Sequence, residues 1–217
     1  MSKFSKASDL IVTKRNTSTL RSLNERGVEI TDNNSLAVKN GDVIILAVKP
    51  FQVSEVLAAV KKDLTGKKIL ISVVTGVTIG DMETVVGKKV PMFRAMPNTA
   101  IAIQESMTCI SSKDAGTADV KYVNDLFSRL GKVVTIDEKL MEAATILGAC
   151  GTAYAMRYIR ANIQGGIEIG FDAPTASLIA AQTVKGAAQL LLTKGSHPEQ
   201  EIDKVTTPKG CTIAGIE

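Results

Sequence analysis

The residues with the clearest capacity for chemistry lie near the end of the chain, in the run Thr206-Thr207-Pro208-Lys209-Gly210-Cys211-Thr212-Ile213-Ala214-Gly215. Pro208 and Gly210 hold a turn there, with backbone amides and hydroxyls ahead of a following helix. Amides pointing one way before a helix make a cradle for a carboxylate or a phosphate. The same composition describes an ordinary turn between two helices, since Pro and Gly punctuate loops of every kind.

Four other turns carry polar groups directly after apolar runs. Residues 10–13 lead into Lys14-Arg15-Asn16-Thr17, where a cation with amide and hydroxyl neighbours suits a ribose phosphate. A solvated turn with an Asn or Thr helix cap fits those residues equally. Residues 43–48 run into Lys49-Pro50, and Pro50 stops the strand where backbone could lie along a dinucleotide. Residues 68–74 run into Thr75-Gly76-Val77-Thr78, with Gly76 permitting close backbone approach and Thr78 placed to cap a helix. Met96-Pro97-Asn98-Thr99 closes the run that starts at Val90, and there Asn98 can simply satisfy turn amides.

These turns must be held by a scaffold, and the texture of the chain says which. Up to Asp137, short β-rich runs at 10–13, 43–48, 68–74, 90–96, 106–111 and 133–136 alternate with helical patterns at 17–26, 53–62 and 117–130. Runs such as Val43-Ile44-Ile45-Leu46-Ala47-Val48 are apolar on both faces, as strands covered on two sides require. The expectation is an α/β Rossmann-like domain over residues 1–137, doubly wound around a mostly parallel sheet. Ligands of such sheets sit at the carboxyl ends of the strands, where the four turns fall. After Asp137 strand signals stop, and 139–164 and 174–193 read as Ala- and Leu-rich helices, with Pro174 at the start of the second behind Asp172 or Ala173. An all-α domain over 138–217 follows.

Composition excludes several functions. The formal charge is +4, with 26 basic residues interspersed among 22 acidic ones, and aromatic content is 4% without Trp. Neither a basic patch nor stacking platforms for nucleic acid emerge. Cys109, Cys150 and Cys211 are far apart and His197 is the single histidine, so no metal site is expected and a reduced cytoplasmic setting is. No apolar run reaches the ~18 residues that span a membrane. No GxGxxG occurs among the 17 glycines.

Taken in order, Ser8-Asp9-Leu10-Ile11-Val12-Thr13, Ala47-Val48-Lys49-Pro50, Gly76-Val77-Thr78-Ile79, Met96-Pro97-Asn98-Thr99, Gly151 with Ala153-Tyr154, Ala181-Gln182-Thr183 with Gly186-Ala187-Ala188, and Gly210-Cys211-Thr212-Ile213 give the chain a family likeness. It resembles pyrroline-5-carboxylate reductase over essentially its whole length. The resemblance implies reduction of 1-pyrroline-5-carboxylate to L-proline by hydride from NADPH or NADH, the last step of proline biosynthesis. It also implies a homodimer interlocked through the helical domain and often assembled into a decamer. Carried over by position, Arg15, Asn16 and Thr17 would lie near the adenosine ribose or its phosphate, and Asn34 near the adenosine. Ala47, Val48, Lys49, Pro50, Val73, Val74 and Thr75 would line the dinucleotide by backbone contact. Gly210, Cys211 and Thr212 would receive the substrate, their amides on its carboxylate and the Thr212 hydroxyl at the ring nitrogen as the catalytic group.

Four departures from the family pattern accompany this likeness. The glycine-rich first β-α unit and the last helices of the family are expected to be missing. Pro208-Lys209-Gly210 stands for the usual Pro-Gly-Gly, and Gly148-Ala149-Cys150-Gly151-Thr152 for the usual Ser-Gly-Ser-Gly-Pro. Two other readings stay open: a catalytically silent remnant that only oligomerises, and a related β-hydroxyacid dehydrogenase in which a lysine such as Lys139 would act.

Overall fold

The computed structural model describes residues 4–216. The chain forms two compact units that part after Thr152.

The first unit carries seven strands: β1 (Ile11–Thr13), β2 (Glu29–Thr31), β3 (Val43–Leu46), β4 (Ile69–Ser72), β5 (Met92–Met96), β6 (Ser106–Lys113) and β7 (Gly131–Thr135). Its helices are α1 (Arg21–Asn24), α2 (Asn34–Asn40), α3 (Val53–Val60), α4 (Ile79–Val86), α5 (Thr117–Ser128) and α6 (Met141–Ala144). Strands β3 to β7 form one sheet in sequence order, parallel except where β5 meets β6. The pair β1 and β2 is parallel and forms a sheet of its own.

The doubly wound expectation is met in the core. Leu70 of β4 and Met92 of β5 pack with Val53, Leu57 and Val60 of α3 and Met82 and Val86 of α4 on one face. Ile71 and Phe93, one residue on in each strand, pack with Val123 and Phe127 of α5 on the other. The two-residue period of a strand sends neighbours to opposite faces, so a run apolar throughout is what a sheet covered on both sides needs. All four residues of β4 and all five of β5 are buried.

Several elements escape the sequence reading. Strand β2 is three residues long with an exposed glutamate at its start, and α2 is a two-turn helix of Asn34-Ser35-Leu36-Ala37-Val38-Lys39-Asn40 that buries only Val38. Neither carries enough period to be read. The stretch 17–26, read as one helix, is a 3-10 turn (Thr17–Leu20) followed by the single turn α1. Likewise 139–164 is broken into a 3-10 turn (Glu138–Leu140), α6, a π-helical segment (Thr145–Cys150) and then α7 (Gly151–Glu168). The strand signal ends at Asp137, yet the first unit runs on to Thr152 because Met141 is fully buried against Met96 and Cys109.

The second unit is helical: most of α7, then α8 (Ala173–Lys194), α9 (Pro198–Val205) and α10 (Cys211–Ile216). Asp172 caps α8 by accepting from the Thr175 amide, and hydrogen bonding from the Thr175 side chain and amide holds its carboxyl below the ordinary range. Gly166 lets α7 approach α8 closely, since a Cβ there would stand 3.1 Å from that of Ala176.

Candidate functional site

The turns singled out from sequence sit where the strands end. Arg15, Asn16 and Thr17 follow β1, Asn34 opens α2 just after β2, Ala47, Val48, Lys49 and Pro50 follow β3, and Val73, Val74 and Thr75 follow β4. Because β1 and β2 are parallel, and so are β3 and β4, each pair delivers its turns to one edge. An ion pair joins the two edges: Arg15 Nη2 lies 3.2 Å from Glu55 Oε1, in the first turn of the helix that follows β3.

Local chemistry explains each turn. Asn16 accepts from the Ser18 amide at 3.1 Å and from the Ser18 hydroxyl at 2.7 Å, which fixes the bend after β1. Around that bend Arg15, Asn16, Thr17, Ser18, Arg21 and Asn24 line an open depression whose donors are two guanidiniums, hydroxyls and amides. That donor set can bind a phosphorylated ribose. The cap reading of Asn16 holds, and the cap leaves the neighbouring donors open to a ligand. Asn33 makes the corresponding cap on α2 by accepting from the Leu36 amide, which leaves the Asn34 side chain out of the capping. Pro50 begins a 3-10 turn (Pro50–Gln52), and Gln52 accepts from the Lys49 amide at 3.2 Å. Val74 is buried in the core and Val73 is apolar, so these two can offer a ligand only backbone, whereas Thr75 is exposed and its hydroxyl lies 3.9 Å from the Met96 sulfur. Gly76 follows at φ 76, a left-handed conformation that costs a side chain and that opens the turn to close approach.

Thr78 is the cap expected from sequence. It accepts from the Asp81 amide at 3.0 Å, and its own amide and hydroxyl donate back to Asp81, holding that carboxyl below its usual range. Asn98 satisfies the Ala100 amide at 3.0 Å, as a turn residue should, but its Nδ2 also reaches the carbonyl of Gly148 at 3.1 Å. The Met96-Pro97-Asn98-Thr99 turn and the π-helical segment are thereby tied together, two motifs that sequence presents as unrelated.

One polar centre lies outside these turns. Arg94 sits within β5 among Met92, Phe93, Ala95 and Met96, and its side chain is 4% exposed. Its guanidinium donates to Glu138 at 3.1 Å, and the same Glu138 oxygen accepts from the Ile79 amide at 2.7 Å, at the start of α4. A lone arginine in a strand otherwise buried was the available hint. Lys139, next door, pairs with Asp137 at 3.0 Å and belongs to a 3-10 turn, well before α7 begins.

In the second unit, Gly210, Cys211 and Thr212 lie at the junction of a turn and α10. The Gly210 amide donates to Thr207 at 2.9 Å, and a Cβ on Gly210 would stand 2.5 Å from the Thr207 hydroxyl. Lys209 before it adopts φ 61. Thr212 is half-buried, and among the described residues its hydroxyl has no partner. No group of three or more His, Cys, Asp or Glu able to hold a metal occurs among the described residues. No helix there is long and apolar enough to cross a membrane.

Comparison with known proteins shows what the chain is similar to. A model for pyrroline-5-carboxylate reductase dimerisation matches residues 138–217, and one for coenzyme F420-dependent NADP oxidoreductase matches residues 1–76. Two proteins of Dictyostelium discoideum are similar along nearly the whole chain. Pyrroline-5-carboxylate reductase 1 is 44% identical over 99% of this chain, which spans 41% of that protein's length. Pyrroline-5-carboxylate reductase 2 is 42% identical over 97% of this chain and 76% of its own length. Among solved structures, the pyrroline carboxylate reductase of Plasmodium falciparum with NADP bound superposes with a TM-score of 0.89 at 29% identity, covering 99% of this chain and 80% of that one.

Proposed function

The chain belongs to the pyrroline-5-carboxylate reductase family, and from that premise we propose that it reduces 1-pyrroline-5-carboxylate to L-proline with NADPH or NADH as reductant. The observation that carries this reading is the collinear match at 42% identity over 97% of the chain and 76% of the relative. It runs through both the strand-end turns and the loop before α10.

In this reading residues 1–137 hold the dinucleotide and residues 138–217 receive the substrate and form a homodimer, built up further into a decamer. When bound, the nicotinamide supplies the hydride for the C=N bond. The protein's own part is position and charge. A protonated imine is already electrophilic, so neither a metal nor a strong nucleophile has to be provided. Arg15, Asn16 and Thr17 take the adenosine ribose and its phosphate, with Asn34 at the adenosine. Backbone at Ala47, Val48, Lys49, Pro50, Val73, Val74 and Thr75 lies along the dinucleotide. The Gly210 amide is engaged by the Thr207 carbonyl, so the amides of Cys211 and Thr212 take the substrate carboxylate beside Gly210, and the free Thr212 hydroxyl orients the ring nitrogen and its proton. The cytoplasm suits the three free thiols Cys109, Cys150 and Cys211.

The test is steady-state kinetics of the purified protein with 1-pyrroline-5-carboxylate, followed by loss of NADPH absorbance. Wild type should consume NADPH only when the imine is present, and Thr212→Ala should lower kcat by about 10²-fold with an unchanged unfolding midpoint. No imine-dependent turnover by the wild type would overturn the reading, and full activity in the variant would remove Thr212 from it.

A further inference from the structure

We propose that Glu55 is a specificity-determining residue, a counter-ion to Arg15 that limits how strongly the 2′-phosphorylated dinucleotide is preferred over the unphosphorylated one. This rests on the reading of the strand-end edge as the dinucleotide site.

The cations around the depression after β1 are already engaged. Arg21 pairs with Glu25 at 3.3 Å, one turn on in its own helix, and Lys14 donates to the Thr19 hydroxyl at 2.8 Å. Arg15 is held differently, by a carboxylate 40 positions away on α3. The contact is a single one, Nη2 to Oε1 at 3.2 Å, so the other edge of the guanidinium keeps its donors for a ligand. The two side chains are 81% and 70% exposed, and an ion pair in water contributes little to stability. Its consequence is for charge at the site.

A phosphate dianion on the open edge of Arg15 would stand roughly 6 Å from the Glu55 carboxylate, with the guanidinium between them. Repulsion between these charges in a water-like medium weakens binding by about 5- to 10-fold at low ionic strength. A ribose hydroxyl in the same place carries no charge to repel and lies too far from Glu55 for a hydrogen bond. Glu55 therefore works against NADPH and leaves the ribose hydroxyl of NADH untouched.

Dissociation constants for NADPH, NADH, 2′,5′-ADP and 5′-AMP, measured by calorimetry on the full chain, separate the outcomes. In Glu55→Gln the NADPH to NADH affinity ratio should rise about 5- to 10-fold at low salt, with the gain shrinking at high salt. The ratio of 2′,5′-ADP to 5′-AMP should move in parallel, Glu55→Asp should keep the wild-type ratio, and Arg15→Gln should lower it. A Glu55→Gln ratio that stays put, or equal shifts for both dinucleotides, while Arg15→Gln still lowers it, overturns the role of Glu55 and leaves the site reading standing. If Arg15→Gln changes neither ligand, the site reading itself falls and this inference falls with it. Matching unfolding midpoints for the variants exclude a folding defect as the cause.

Discussion

Arg94 shows how a single residue can hold several elements at once. Its guanidinium is buried in the sheet, and the carboxylate that neutralises it, Glu138, also receives the first amide of α4. Removing one partner of a buried pair leaves the other charge uncompensated, which commonly costs 3–5 kcal/mol. Glu138 keeps some contact with solvent, so Glu138→Ala is expected to lose about 2–4 kcal/mol in urea denaturation. A loss below about 1 kcal/mol would mean that water takes over the carboxylate's role. Lys209 makes the opposite case. It occupies a left-handed conformation, φ 61, the region that favours glycine. A side chain in that region costs roughly 1–2 kcal/mol, partly offset by the extra freedom glycine has when unfolded. Lys209→Gly is thus expected to raise stability by about 0.5–1 kcal/mol, read as a higher thermal midpoint. An unchanged or lower midpoint would assign the loop's shape to something other than its backbone.

Elements in this chain are held by close contacts that only backbone geometry reveals. At the start of β7, Gly131 adopts φ 141 and faces Ser106 so closely that a Cβ would stand 2.0 Å from its carbonyl oxygen. Nothing flexible is there to give way, so Gly131→Ala should separate β7 from β6 and cost at least about 3 kcal/mol. Urea denaturation within 1 kcal/mol of wild type would refute that. Such a glycine is invisible in sequence, as are β2 and α2, because too few of their side chains are buried to set up a period. By contrast β3, β4, β5 and α3 were legible, since an apolar run or an amphipathic stripe is itself the packing. The turns of the candidate site were legible as positions after strands, and Asn16, Thr78 and Asn98 as caps, whereas the distant contacts of these turns were not: Arg15 meets Glu55, Ile79 meets Glu138 and Asn98 meets Gly148, 40, 59 and 50 positions apart. The helical unit has a comparable clasp. Glu201 of α9 accepts from Lys204 at 2.6 Å and Ser196 at 2.7 Å, with Lys194 nearby, and these bonds hold its carboxyl at about 2 against an ordinary 4.5. A lowered carboxyl favours folding above its unfolded value and loses that contribution as pH falls toward the folded one. Unfolding midpoints should therefore drop between pH 4.5 and about 2, and drop less in Glu201→Gln. Equal pH dependence in the two proteins would remove Glu201 from acid unfolding.

At the scale of the whole molecule, the two units differ in how they bury apolar surface. The first has a continuous core on both faces of its sheet. In the second, the only buried apolar residues among those described are Ala176 and Ala180, while Ile169, Leu178 and Leu192 are 78%, 70% and 73% exposed. Two alanines cannot stabilise a helical unit of that size, since small domains need an ample core or an external staple to fold. Apolar surface left bare on this scale belongs to an interface, and a second copy of the chain is the occupant that the dimerisation match over residues 138–217 favours. Leu178 and Leu192 are two heptads apart on α8, so they fall on nearly one face of that helix. Replacing both by glutamate puts two charges into a desolvated seam, where each would have to be paired or expelled. Sedimentation velocity of Leu178→Glu/Leu192→Glu should then show a monomer where wild type is an oligomer. The thermal midpoint of the wild type should rise with protein concentration, because only the assembled form is stabilised by mass action. A doubly substituted protein that sediments like wild type, together with a wild-type midpoint independent of concentration, would mean that these helices close on something other than a second copy.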